Sequence, residues 1–155
     1  GQHHFWTSPK VVLAKSKVIS PKSKVMVVTS ASNDIFRKKL KARIYNWTVR
    51  LVKYLRILSK RGDRFIFSII DQLLRCGTSV GANYIEAIAG TTIKDFRNFL
   101  AHALKSCNEA KYWLALIRDT KIDSSEELNW LLSEAIEIAN ILGKSVSTLY
   151  KNDNH

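Results

Sequence analysis

Three residues in the middle of the chain are of types that could do chemistry: the amide Asn83 and the carboxylates Glu86 and Glu109. Two carboxylates on different helices of a bundle could hold a pair of metal ions. That chemistry draws its remaining ligands from Glu-x-x-His pairs, and no Glu-x-x-His occurs in this sequence. His102 lies seven residues before Glu109, too far for a ligand pair on one helical turn. No Ser/His/Asp set or nucleotide fingerprint is present, and Gly77-Thr78-Ser79-Val80-Gly81 is not a Walker sequence. The residue types therefore favour a structural polar network of Asn83, Glu86, Lys105 and Glu109, in which Glu86 would bond to Asn83, Lys105 or Arg75 and fix the register of the second helix against the third. An enzyme using Glu86 as its acid/base is the weaker alternative. No catalytic residue, metal or cofactor is expected.

The chain has two cysteines, Cys76 and Cys107, each in an apolar helical pattern and with no C-x-x-C spacing. They read as buried free thiols, which suits a reducing cytoplasm. His3 and His4 do not make a metal site. Arg61-Gly62-Asp63 matches an integrin-binding motif by letter, but helix punctuation accounts for it.

Charge is the strongest functional signal. The formal net charge is +12. Residues 1–62 hold 15 Lys and Arg against the single acid Asp34, whereas residues 63–155 hold 10 against 12 acids. The first part is thus +14 and the remainder −2, an asymmetry that points to a polyanionic partner. Lys39, Arg43, Arg50, Lys53 and Lys60 fall within a stripe of about 100° on a helix, and Arg37, Lys38, Lys41, Arg56 and Arg61 widen it. No acid lies between residues 35 and 62 to neutralise it from the same helix. The stripe could track a phosphate backbone. Alternatively, it is a solvated face paired with Glu126, Glu134 and Glu137 of the fourth helix. No base-reading element is evident, so binding of RNA or DNA would be weakly sequence-specific.

These residues need helices to position them. Helix periodicity predicts four, at about 34–60, 64–89, 93–118 and 125–150. Phe36, Leu40, Ile44, Trp47, Leu51, Leu55 and Leu58 set the period of the first. Phe65, Ile69, Leu73, Val80, Tyr84 and Ile88 set that of the second. Ser32 or Asn33 and Asp63 are predicted N-caps. Thr92 with Asp95, and Ser124 with Glu127, have capping-box spacing. Gly62 and Gly90 are stops. Matched lengths and short connections predict an all-α, up-down-up-down antiparallel four-helix bundle over residues 33–150. Residues 1–32, with Ser8-Pro9-Lys10 echoed by Ser20-Pro21-Lys22, are predicted to be a basic, extended or poorly ordered N-terminal segment. The only methionine, Met26, is a candidate natural start. No apolar run reaches the ~20 residues of a membrane span, and no signal peptide is evident.

Two glycines, Gly77 and Gly81, interrupt the second helix. Each costs about 1 kcal/mol relative to alanine, and close approach of another helix is the compensation expected. A second set of apolar residues exceeds what one core needs: Tyr45, Val49 and Val52 on the first helix, Tyr112, Trp113 and Leu116 on the third, and Trp130 and Ile141 on the fourth. Their Tyr and Trp content predicts a subunit interface.

Gln72-Leu73-Leu74-Arg75, Gly77 through Asn83 and Glu86-Ala87, followed by Asp95-Phe96, Leu100, Ala103-Leu104-Lys105, Glu109 and Tyr112-Trp113-Leu114, resemble the bacterial four helix bundle proteins encoded in intervening sequences of 23S rRNA genes. The resemblance covers about residues 36–145. It departs at Cys76, where serine is usual, at Ile85, and at Ser106, where an acid is usual. It implies a four-helix bundle that assembles as a homo-oligomer, a ring of five, with no known catalysis. A related accessory protein of diversity-generating retroelements is a basic pentamer that associates with a reverse transcriptase and nucleic acid. The resemblance therefore implies a nucleic-acid enzyme as a partner. The function expected is a non-enzymatic bacterial oligomer that binds RNA or DNA through Lys39, Arg43, Arg50, Lys53, Arg56 and Lys60. The alternative is a protein–protein assembly module that does not bind nucleic acid.

Overall fold

The computed structural model describes the backbone of residues 21–152 and the side chains of residues 31–151. Four helices follow in order: α1 (Pro21–Ser59), α2 (Arg64–Ala89), α3 (Ile93–Asp119) and α4 (Glu126–Asn152). The described residues contain no strand. The chain divides into two compact units, Gly1–Asp34 and Ile35–His155, and the second is the bundle. Within the first unit the backbone is already helical from Pro21. Residues 21–32 are thus helical where an extended or poorly ordered segment was expected, which displaces the caps expected at Ser32 or Asn33; residues 1–20 of that segment lie outside the described residues. Proline suits the first position of a helix, where its missing N–H has no partner to lose, and neither glycine nor proline occurs from residue 22 to 61 to stop the helix. His3 and His4 lie outside the described residues.

The other boundaries follow local chemistry. Gly62 takes φ 73°, a left-handed conformation that side chains resist, and the chain reverses there. Asp63 then caps α2 by accepting from the Phe65 N–H at 2.9 Å. Thr92 caps α3: its hydroxyl accepts from the Asp95 N–H at 3.0 Å and donates to the Asp95 carboxylate at 2.6 Å. At α4 the cap is Ser125, whose hydroxyl accepts from the Leu128 N–H at 3.2 Å. The expected Ser124–Glu127 box does not form, because Glu127 is drawn across to α1 instead.

Leu40, Ile44, Trp47, Leu51, Leu55 and Leu58 of α1 are buried against Leu73 and Val80 of α2, Leu100 and Leu114 of α3, and Leu131 and Ile138 of α4. Phe36 and Phe65 are exposed, contrary to their expected place in the core stripe. At the start of α2, Ile66 and Ile70 take the inward positions instead.

The glycines identify the neighbour of α2. A Cβ at Gly77 would run into the Leu51 side chain, with the Trp47 ring 3.7 Å away. One at Gly81 would lie 3.6 Å from Ile44 and 3.8 Å from the Thr48 hydroxyl. So α1 crosses α2 most closely at Gly77. Gly81 leaves ordinary contact distance and is not required for the approach. α2 packs on α3, and α3 on α4. The Trp47 indole N–H, fully buried, donates to the Leu131 carbonyl at 2.9 Å and joins α4 back to α1. Each helix thus touches the next and the last touches the first, giving an antiparallel four-helix bundle. Among the described residues no helix is long and apolar enough to cross a membrane.

Candidate nucleic-acid interface

The outer side of α1 carries the basic stripe, and its six cations divide into two groups. Arg43 and Arg50 are engaged within the chain. The Arg43 guanidinium donates through Nε to Glu134 Oε1, and through Nη2 to Oε2 at 2.9 Å. One helical turn pair along, Arg50 donates to Glu127 through Nε at 2.9 Å and Nη2 at 2.5 Å. Both are fork-on-fork pairs, the geometry in which guanidinium and carboxylate match best. Hydrogen bonding to Glu134 raises the affinity of Arg43 for its proton, and bonding to Glu127 does the same for Arg50. The Arg50 bond in turn holds the Glu127 carboxyl below its ordinary range, against partial burial. The Arg50 guanidinium also lies 3.3 Å from the centre of the Trp130 ring, a cation–π stack.

Lys39, Lys53, Arg56 and Lys60 form the second group. All four are exposed, and among the described residues none of their side chains makes an ion pair or hydrogen bond. They run over about 30 Å at 1.5 Å per residue. Beside Lys53 a groove of about 260 Å³ opens between α1 and the start of α4, lined by Arg50, Tyr54, Ile57, Arg61, Asp123 and Glu127.

At the end of that groove is a polar cluster that sequence reasoning missed. Asp123 is buried and accepts from the Tyr54 hydroxyl at 3.0 Å, Arg61 Nη2 at 2.7 Å and the Ser125 hydroxyl at 2.5 Å. Arg61 Nη1 also donates to the Ile122 carbonyl at 2.6 Å. Burial alone would raise the Asp123 pKa. The bonds from Ser125, Arg61 and Tyr54 together outweigh it and hold the carboxyl below its ordinary value. Desolvation, with the Asp123 charge and hydrogen bond beside it, pushes the Tyr54 hydroxyl well above its ordinary value. The available signal was Asp123 itself, an acid two residues before a helix-capping serine.

The network expected inside the bundle is not there. Glu86, Lys105 and Glu109 are exposed, and Asn83 is half-buried. The Asn83 amide donates to the Ser79 carbonyl at 2.9 Å, one turn back on its own helix. Glu109 accepts from the Trp113 indole at 3.3 Å. Desolvation costs explain the placement: four polar groups without mutual partners are cheaper in water than inside. Among the described residues no cluster of His, Cys, Asp and Glu could hold a metal. Of the expected interface residues, Tyr45, Val52 and Tyr112 are exposed, whereas Val49, Trp113, Leu116 and Trp130 are half-buried. One face of Trp130 is already covered by Arg50 of the same chain.

Residues 40–144 match the family described as 23S rRNA-intervening sequence protein. A crystal structure of a protein of unknown function from the S23 ribosomal protein family of Bacteroides thetaiotaomicron VPI-5482 is similar at 33% identity and a TM-score of 0.63; the match covers 69% of this chain and 97% of that one. No curated protein matches. With the closely crossed α1–α2 pair, the four-helix closure and this agreement over most of the bundle, the chain belongs to the 23S rRNA-intervening sequence protein family.

Proposed function

We propose that this protein is a non-enzymatic homo-oligomer of the bacterial cytoplasm that binds RNA or DNA with weak sequence preference through α1. One observation carries the reading: Lys39, Lys53, Arg56 and Lys60 are exposed along α1 with no ion pair among the described residues, on a helix free of acids from residue 35 to 59. Such cations exchange condensed counterions for phosphates. Arg43 and Arg50 act differently from the expectation: they brace α1 against α4 and hold the face in place. Exposed Tyr45, Val52 and Tyr112 support contact between copies. The buried thiols Cys76 and Cys107 support a reducing compartment. A reverse transcriptase or another nucleic-acid enzyme is the partner that fits an accessory role.

The test is titration with RNA and duplex DNA over a salt series. Affinity should fall steeply as salt rises, with a log–log slope of roughly −0.9 per duplex phosphate neutralised. Reversing Lys39, Lys53, Arg56 and Lys60 to glutamate should weaken unrelated sequences about equally. A flat salt response sinks the reading. The pairing of Arg43 and Arg50 favours a second one, a protein–protein assembly module, because it removes two of six cations from the face. Recovery of one stoichiometric protein after nuclease treatment, with no nucleic-acid affinity, would favour that module.

A further inference from the structure

The Arg50 guanidinium is held flat and in one place. Its Nε and Nη2 are tied to the two carboxylate oxygens of Glu127, and one of its faces lies on the Trp130 ring, 3.3 Å from the centre. Even so, 36% of the side chain is exposed. A guanidinium fixed at its edge and covered on one face keeps its other face as a planar surface, on which a flat ring can stack.

The register of α1 against α4 says where that face looks. Arg43 pairs with Glu134, Arg50 with Glu127 and Arg61 with Asp123, so positions rise along α1 as they fall along α4. The Trp47 indole meets the Leu131 carbonyl, which puts Trp130 on the Arg43 side of Arg50. The groove of about 260 Å³ lies on the opposite side, towards Arg61 and Asp123, and Trp130 does not line it. Arg50 therefore stands between the ring and the groove, as the groove's end wall. Buried Tyr54 and Leu58 line the groove, and so does Ile57, which is 65% exposed and leaves its apolar surface to water.

Charge selects the occupant. Glu127 and Asp123 are each neutralised by an arginine. Lys53, on the groove wall, and Lys60, just past the end of α1, have no ion pair among the described residues. The balance at the groove is positive. An apolar slot with a planar end wall and cations beside it suits a flat ring carried on an anionic strand.

We infer that the groove takes one unpaired nucleobase, stacked on the free face of the Arg50 guanidinium, with Lys53 and Lys60 meeting phosphates of the same strand. The preferred ligand is then single-stranded nucleic acid, because a base in a duplex must first be extruded from its stack. The inference rests on the nucleic-acid reading above and names the form of nucleic acid it takes.

The experiment titrates the full chain with three DNA ligands of equal length: a single strand bearing bases, the same backbone made abasic, and a duplex. They are compared at the high end of a salt series, where the phosphate contribution is suppressed. The base-bearing strand should bind roughly tenfold tighter than either of the others. Arg50→Lys keeps the charge but not the planar face, and should bring the base-bearing strand down to the abasic one. A base-bearing strand that binds no tighter than the abasic strand or the duplex overturns the inference and leaves the nucleic-acid reading standing. So does an Arg50→Lys variant that keeps the whole difference. The comparison of ligands needs no variant, so it decides the matter even where Arg50→Lys fails to fold. A protein that binds none of the three at low salt overturns both readings.

Discussion

Gly77→Ala isolates the close crossing of α1 and α2. The added methyl would meet the Leu51 side chain far inside van der Waals contact, and Leu51 is fully buried. Overpacking of this kind costs about 1–3 kcal/mol, and the helix-propensity gain of alanine over glycine returns about 1 kcal/mol. The expected net loss is about 0–2 kcal/mol. Gly81→Ala is the internal control, since its methyl would find Ile44 at an ordinary 3.6 Å. There the propensity term stands alone, and stability should rise by about 0.5–1 kcal/mol. Urea unfolding at one fixed protein concentration reads both, through the midpoint at unchanged slope. A double-mutant cycle then names the neighbour. Leu51→Ala alone should cost about 2–5 kcal/mol through its cavity. Combined with Gly77→Ala it should cost at least about 1 kcal/mol less than the sum, because the new methyl enters the space Leu51 vacates. Equal midpoints for the two alanine variants, or a cycle additive within about 0.5 kcal/mol, would refute the account of the seam.

Asp123 predicts acid lability. Its carboxyl is depressed in the fold, so its contribution is present above the unfolded-state value near 3.9 and is lost as pH falls through the lower folded value. Asp123→Asn should flatten the acid limb of a stability–pH profile. The two thiols predict the opposite limb: burial pushes Cys76 and Cys107 each up to about 12, so their contribution is complete below about 8.5 and declines as pH rises toward 12. Neither should react with a thiol reagent at neutral pH until the protein unfolds. Glu134→Gln and Glu127→Gln should release Arg43 and Arg50, each making the duplex salt slope steeper by up to about 0.9. Unchanged slopes would show that those arginines do not face the ligand.

The bundle was legible because its signals are local and repeated: a 3.6-residue apolar period, Asp63 and Thr92 as caps, and Gly62 as a stop. The candidate face was legible as charge but not as availability. Pairing with Glu134 was one of the alternatives, but nothing in the spacing of α1 says that Arg43 is the cation that takes it, or that Arg50 meets Glu127; the two acids lie 91 and 77 residues away. The interior network failed for a related reason. Asn83 and Glu86 share a helix with buried residues, but whether they point inward depends on the crossing at Gly77, a tertiary fact. Trp130 was legible as aromatic surface, yet its ring is covered by a residue 80 positions earlier.

The contacts that join α1 to α4 close the longest loops in the bundle, with the Trp47 indole reaching a carbonyl 84 residues on. Closing such a loop sacrifices more chain entropy than forming either hairpin. The sequential pairs α1–α2, α2–α3 and α3–α4 are therefore expected to form before the α1–α4 edge. It is also the edge where amide hydrogen exchange should register the first sub-global opening. The two guanidinium forks and the Asp123 cluster lie along that one edge, so three of the polar contacts among the described residues stand where the topology makes closure hardest.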